Sequence, residues 1–255
     1  MGATKWALLV EYDGAPFVGW QRQVNGTSVQ QVIEEAAARL SHGTPVSTIV
    51  AGRTDAGVHA AGQVVELRLD RTINPDRLRE ALNYHLKPYP VAVLQAAPAS
   101  ETWSARFSAT RRTYCYRILN RRPRPTLLAG RVWHVPGLLD AGAMHAAGQL
   151  LLGRHDFSSF RAASCQANSA MRTLDRLEVI RTGDLIEIWA EARSFLHHQV
   201  RNMAGTLRLV GDGTWPVEAM PRVLAAKDRS AAGPTAPAEG LCLMAVLYPE
   251  SPFAG

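Results

Sequence analysis

The sequence predicts an α+β chain of two similar halves. Two observations carry this: the same order of strand-like and helix-like segments occurs twice, and 255 residues at 47% hydrophobic composition suffice for one large core or two modest ones. The first half opens with "KWALLVEY" (5–12), an apolar strand run. "SVQQVIEEAAARL" (28–40) is a helix: Ser28 and Gln31 form a capping box, and Val29, Val32, Ile33, Ala36 and Leu40 share one face. Strands follow around "STIVA" (47–51) and "GQVVELRL" (62–69). A helix begins at "NPDRLREALNYHL" (74–86) with Pro75 in its first turn, and "VAVLQAA" (91–97) closes the half as a strand.

The second half opens on the strand "TYCYRIL" (113–119). "LDAGAMHAAGQLLLG" (139–153) predicts a helix with Asp140 as N-cap and Gly153 as its stop. "RTLDRLEVIRT" (172–182) and "LIEIWAEA" (185–192) are strands around a turn at Gly183-Asp184. "FLHHQVRNMAGTLRLVG" (195–211) and "PVEAMPRVLAAK" (216–227) read as helical, and "GLCLMAVLYP" (240–249) as the last strand. Each half is thus β-α-β-β-α-β, the ferredoxin-like order. The expected domains are 1–105 and 106–255, with "PASETWSARFSATRR" (98–112) as connector and "RSAAGPTAPAEG" (229–240) as a surface loop.

A net charge of +6 points to an acidic partner, nucleic acid first. Of the 28 basic residues only Lys5, Lys87 and Lys227 are lysine, and arginine's planar fork suits phosphates and base edges. A GC-rich genome accounts equally well for that ratio, though not for the net charge. Cys115, Cys165 and Cys242 are lone cysteines without C-x-x-C spacing, as expected in a reducing cytoplasm rather than in a disulfide framework or zinc site. "WALLV" is too short for a signal peptide, and no apolar run reaches the roughly 18 residues of a membrane span. The expectation is a soluble cytoplasmic protein.

Three stretches carry residues suited to chemistry. In "AGRTDAGVHA" (51–60), Gly52 and Gly57 bracket a tight connection after a strand, where catalytic groups are often placed. Asp55 lies there between Arg53 and His59, with no other acid within ten residues on either side. Alone, such an aspartate caps a turn; among cations it is ionised at neutral pH and available as a nucleophile. The second stretch runs from Glu101 to Arg124, where seven arginines and one acid interleave with Trp103, Phe107, Tyr114 and Tyr116. Arginine with aromatics is the expected footprint for an RNA backbone and stacked bases, against a solvated strand face whose aromatics, Tyr116 above all, turn into the core. The third is "SFLHHQVRN" (194–202). Read as a helix, adjacent His197 and His198 diverge and lack the spacing of a helical zinc pair, so no metal site is expected. Arg201 is suited to pair with a catalytic carboxylate, or else with a surface acid. No GxSxG elbow, GxxxxGK[ST] loop or GxGxxG turn is present, so no nucleotide or redox cofactor is implied.

With "EYDGAPFVGWQRQ", "AGRTDAGVHA", "ARFSATRRTYCYRI", "LLGRHDFSSFRAASCQ", "SFLHHQVRNMAG" and "AAKDRSAAGPTAPAEGLCLMAVLYP" in this order, the chain resembles the tRNA pseudouridine synthase A (TruA) family over nearly its whole length. The resemblance implies that Asp55 is the nucleophile, Tyr114 the tyrosine that stacks on the target base, and Arg201 the basic residue paired with the aspartate. It further implies Leu241 as the apolar residue at the site floor and Arg53 as an arginine that helps displace the target nucleotide. Gln199 stands where a methionine is usual and Cys242 where an aromatic is common, and Val50 precedes the aspartate motif.

The implied reaction isomerises uridine to pseudouridine, with no redox change and no net hydrolysis, hence without a cofactor. The implied substrate is the anticodon stem-loop of tRNA at positions labelled 38 to 40, bound by a homodimer, with the two half-sheets joined into one continuous antiparallel sheet and a basic cleft between them. Two rivals remain open on the residues alone. One is an RNA-binding module or chaperone, which gains nothing from a carboxylate where phosphates approach. The other is an N-glycoside hydrolase, disfavoured because no second acid faces Asp55 in the sequence.

Overall fold

A computed structural model describes residues 3–71 and 73–253, in which ten strands and five α-helices form. The chain is α+β with two ferredoxin-like halves, and it divides into two compact units. One runs to Arg112 and takes back the chain from Leu243; the other is Thr113–Cys242.

In the first unit β1 (Thr4–Tyr12) is central and pairs antiparallel with β3 (His59–Leu69) and β4 (Val91–Pro98). The short β2 (Thr48–Val50) adds to the far part of β3. Helix α1 (Val29–Leu40) starts where the capping box places it, with Ser28 Oγ accepting from Gln31 N at 3.1 Å. Helix α2 (Pro75–Leu86) is capped by Asn74 and buries Leu78, Leu82 and Leu86 at i, i+4 spacing. On the strands, Ala7 and Val64 join Ala51, Trp103 and Ala105 in a buried cluster, so the connector folds onto the sheet rather than into solvent. Lys5 anchors it there: its side chain is 5% exposed, and its ammonium lies 3.2 Å from Glu66 and donates to the carbonyls of Glu101 and Trp103.

The β1–β3 register shifts between Val10 (opposite Gln63) and Tyr12 (opposite Ala60). Such a bulge re-aims side chains. Here the Tyr12 hydroxyl meets Thr54 Oγ1 at 2.7 Å, immediately before Asp55.

In the second unit β5 (Arg111–Leu119), which begins in the first, is followed in the strand order by β9 (Leu185–Ala192), β8 (Met171–Thr182) and β7 (Gly153–Asp156). The expected antiparallel arrangement is not complete. β6 (Trp133–His134) pairs in parallel with β5, because thirteen residues separate them and the chain crosses over instead of turning back as a hairpin. Helix α3 (Ala141–Gln149) has Asp140 as N-cap, accepting from Ala143 N at 2.9 Å. It ends four residues before Gly153, which opens β7 instead of stopping the helix. Helix α4 (Gln199–Gly211) also begins later than the sequence suggests, and α5 (Ala219–Ala226) is shorter. β10 (Leu241–Leu247) returns the chain to the first unit, beside β3. Among the described residues no helix is long and apolar enough to cross a membrane.

Candidate active site

The connection from β2 to β3 carries Asp55, and its backbone is held along its length. Ala51 N donates to Val64 O at 2.9 Å, and Gly52 O accepts from Gln63 Nε2 at 2.8 Å. Thr54, buried, is gripped twice: its carbonyl accepts from Trp20 N at 3.0 Å and its hydroxyl meets Tyr12. Val58 N closes a turn onto Asp55 O at 3.1 Å, with Gly57 at φ +77°. Two glycines of the preceding segment pack directly on this loop. A Cβ at Gly19 (φ +110°) would stand 2.9 Å from Thr54 O, and one at Gly14 would stand 2.0 Å from Val58 O. Neither position accepts a side chain without moving the loop. Asp55 is therefore half-buried on a backbone fixed before any substrate arrives, the condition for a pre-organised nucleophile.

The neighbours of Asp55 in sequence have different fates. Arg53 is exposed, as a phosphate contact requires. His59, expected as a companion cation in the loop, is buried at the head of β3, where Nδ1 accepts from Gly14 N at 3.1 Å and lies 3.0 Å from Asp13 Oδ1. It braces the Gly14 corner.

Arg112 departs from the expectation that the arginine run faces RNA. It is 7% exposed, and its guanidinium donates to three carbonyls: Ala51 at 2.7 Å, Arg106 at 2.9 Å and Ala109 at 3.3 Å. Arg111, its neighbour on the strand, is exposed. Arg112 falls on the same side of β5 as Tyr114 and Tyr116, whereas Arg111 is the exposed first residue of a strand that is otherwise mostly buried on both sides. Arg112 secures the foot of the Asp55 loop.

The remaining predicted residues lie in the second unit. Tyr114 is 8% exposed and meets Phe195 edge-on, with ring centroids 5.2 Å apart. Tyr116 is wholly buried and its hydroxyl donates to Pro237 O at 2.9 Å; burial drives its ionisation far above the usual range, partly offset by nearby Arg201. It is core, as the sequence suggested. The Cys115 thiol is pushed up to about 12 by burial, with Glu187 adding to the effect, which leaves it protonated and unreactive at neutral pH.

His197 and His198 do not lie inside a helix. His198 takes a left-handed φ of +62° and α4 starts after it, because the buried Gln199 reaches back and accepts from Leu196 N at 2.9 Å. The helical reading of the histidine pair is thus corrected, while His198 O still receives Asn202 N at 2.8 Å one turn on. Gln199 uses its amide where a methionine could not.

Arg201 sits in the first turn of α4 and is locked to the loop before β10 in both directions. Its Nε donates to Ala236 O at 2.8 Å, and Ala236 N donates to Arg201 O at 3.1 Å. Arg229 and Thr235 extend the lacing through Asn202 Oδ1, at 3.2 and 2.7 Å, and Gly233 N donates to Thr206 Oγ1 at 3.0 Å. The segment expected as a plain surface loop is thus fastened along α4. It leads into Leu241, 6% exposed at the start of β10. Arg229 and Gln199 carried no catalytic signal in the sequence; their roles are visible only once the loop is seen lying on the helix.

The tRNA pseudouridine synthase family model matches residues 8–108 and 147–249, and the chain belongs to that family of isomerases acting on tRNA. Among its relatives, it is 64% identical over 250 residues to tRNA pseudouridine synthase A of Acidiphilium cryptum, covering 98% of each chain. It is 58% identical over 244 residues to the protein of that name from Rhodospirillum centenum, covering 96% of this chain and 99% of the relative. For the Gluconobacter oxydans protein the identity is 56% over 254 residues, 99% of this chain and 92% of the relative.

Proposed function

We propose that this chain converts uridine to pseudouridine in the anticodon stem-loop of tRNA at positions 38 to 40, with Asp55 as the nucleophile. The observation that carries the reading is the fixed loop around Asp55. The N1–C1′ glycosidic bond breaks, the base turns, a C5–C1′ bond forms, the C5 proton leaves and N1 gains a proton. The Asp55 carboxylate adds covalently to the base or to the sugar and is released at the end. Electrons and atoms balance without an oxidant or a metal.

The target must first leave its stack. In this proposal the Tyr114 ring then holds the base, Leu241 closes the floor, and Arg201, oriented through Ala236, pairs with the Asp55 carboxylate. Arg53 helps displace the nucleotide, and the other exposed arginines neutralise phosphates of the bound RNA. The proposal includes a homodimer working in the cytoplasm.

Because C5 loses its hydrogen in each turnover, a tRNA transcript carrying tritium at uridine C5 reports the reaction directly. The purified chain is expected to release tritium; none released means the reading is wrong. Release is expected to persist after EDTA treatment and dialysis, and complete loss restored by zinc contradicts a metal-free reaction.

The two tyrosines separate in the same assay. Tyr114→Phe keeps the ring: if stacking is all it supplies, tRNA binding and base capture stay near normal, and if the hydroxyl helps remove the C5 proton, binding persists without turnover. Tyr116→Phe leaves Pro237 O without its donor and lowers stability by about 1–3 kcal/mol, with turnover retained in the folded protein. A larger loss of turnover from Tyr116→Phe reverses the assignment.

A further inference from the structure

Ser104 to Ala109 form a tight loop whose tip is apolar. Ser104 N donates to Ser108 Oγ at 3.0 Å and Ser108 N to Ser104 O at 3.1 Å. Ala105 N donates to Glu66 Oε2 at 3.0 Å, and Ala105 O accepts from the Tyr248 hydroxyl at 2.7 Å. Arg112 holds the carbonyls of Arg106 and Ala109. Ala105 and Ala109 are buried on either side, yet Phe107 between them is 72% exposed, with the Arg106 guanidinium 5.3 Å from its ring centroid. The hydrogen-bonded backbone fixes where this ring is presented.

The loop is tied to the Asp55 connection through one atom. Arg112 Nη2 donates both to Arg106 O (2.9 Å) and to Ala51 O (2.7 Å), so the foot of the phenylalanine loop adjoins the foot of the Asp55 loop within a single unit. An exposed aromatic ring backed by arginine is the arrangement that stacks an unpaired nucleobase and neutralises its phosphate. Arg106 and Arg111 are both exposed here, in a chain of net charge +6.

We propose that Phe107, with Arg106 behind it, is a stacking platform for a second, unpaired nucleobase of the substrate RNA, held in register with Asp55 by Arg112. This rests on the tRNA-modifying reading above and adds a contact beyond the target uridine. A second copy of this chain is the competing occupant of the ring.

The test is filter binding of an unmodified tRNA transcript to Phe107→Ala and Phe107→Trp at fixed salt, with thermal melting and sedimentation velocity on each protein. Phe107→Ala is expected to raise Kd about tenfold, within the range for losing one base–aromatic stack. Phe107→Trp is expected to bind within about threefold of wild type, and melting and sedimentation stay unchanged in both. Wild-type affinity in Phe107→Ala overturns the inference. So does altered sedimentation with tRNA affinity intact, which assigns the ring to self-association. Tritium release by the wild type tests the underlying reading separately: an active wild type with an indifferent Phe107→Ala removes this inference alone.

Discussion

Asp55→Asn is expected to abolish pseudouridine formation and leave tRNA binding intact. The substitution preserves volume and most hydrogen-bonding capacity while removing the anion that adds to the substrate. The backbone of the loop is held through Ala51, Gly52, Thr54 and Val58, contacts that the substitution leaves in place. Thermal stability should therefore change by no more than about 1 kcal/mol. Removing a negative charge from a phosphate-binding surface leaves tRNA affinity equal or slightly higher. Filter binding, melting and product formation on one preparation separate these effects. Loss of binding or a large drop in melting temperature would mean that Asp55 acts in structure rather than in chemistry.

Arg112→Ala is expected to be the most destabilising of the arginine substitutions and to slow turnover in whatever protein folds. It deletes three hydrogen bonds from a buried cation and strands the Ala51, Arg106 and Ala109 carbonyls together. The loss should be about 3–5 kcal/mol, toward the low end of three buried carbonyls left without donors, and the melting temperature should fall by roughly 6–20 °C for a chain of this size. Arg112→Lys retains the charge but not the fork, so it should recover part of the stability and less of the turnover. Arg111→Ala, changing an exposed residue, should instead weaken tRNA binding and reduce its salt slope by up to about one unit. If both arginines behave alike, in melting and in salt dependence, the burial of Arg112 has no consequence and the loop is held by other means.

What the sequence made legible follows the range of the interactions involved. Helix α1 was readable to the residue because its apolar period and its Ser28 cap are local. β6 and β7, two and four residues long, are too short for any periodicity to register. The start of α4 was misplaced because it depends on His198 entering a left-handed conformation and on buried Gln199 capping backwards, and burial is a tertiary property. Arg112 is an intermediate case. Strand parity sets it opposite Arg111, a sign available in the sequence, but the carbonyls that consume its guanidinium come from segments as far away as Ala51. At the site, Asp55 stood out through its bracketing glycines and the lack of nearby acids. Tyr114, Arg201 and Arg53 drew notice from their residue types and neighbours, but their specific roles, and Leu241 altogether, were legible only through resemblance, because a leucine at a strand end carries no chemical signature alone.

The central claim is that Asp55 makes pseudouridine in tRNA. The most direct measurement is to map pseudouridine along an unmodified tRNA transcript with uridines at positions 38 to 40, after incubation with the purified wild type and with Asp55→Asn. The account predicts pseudouridine confined to those positions with the wild type and none with Asp55→Asn, although the variant still binds the transcript. Pseudouridine at near-wild-type yield from Asp55→Asn would contradict it.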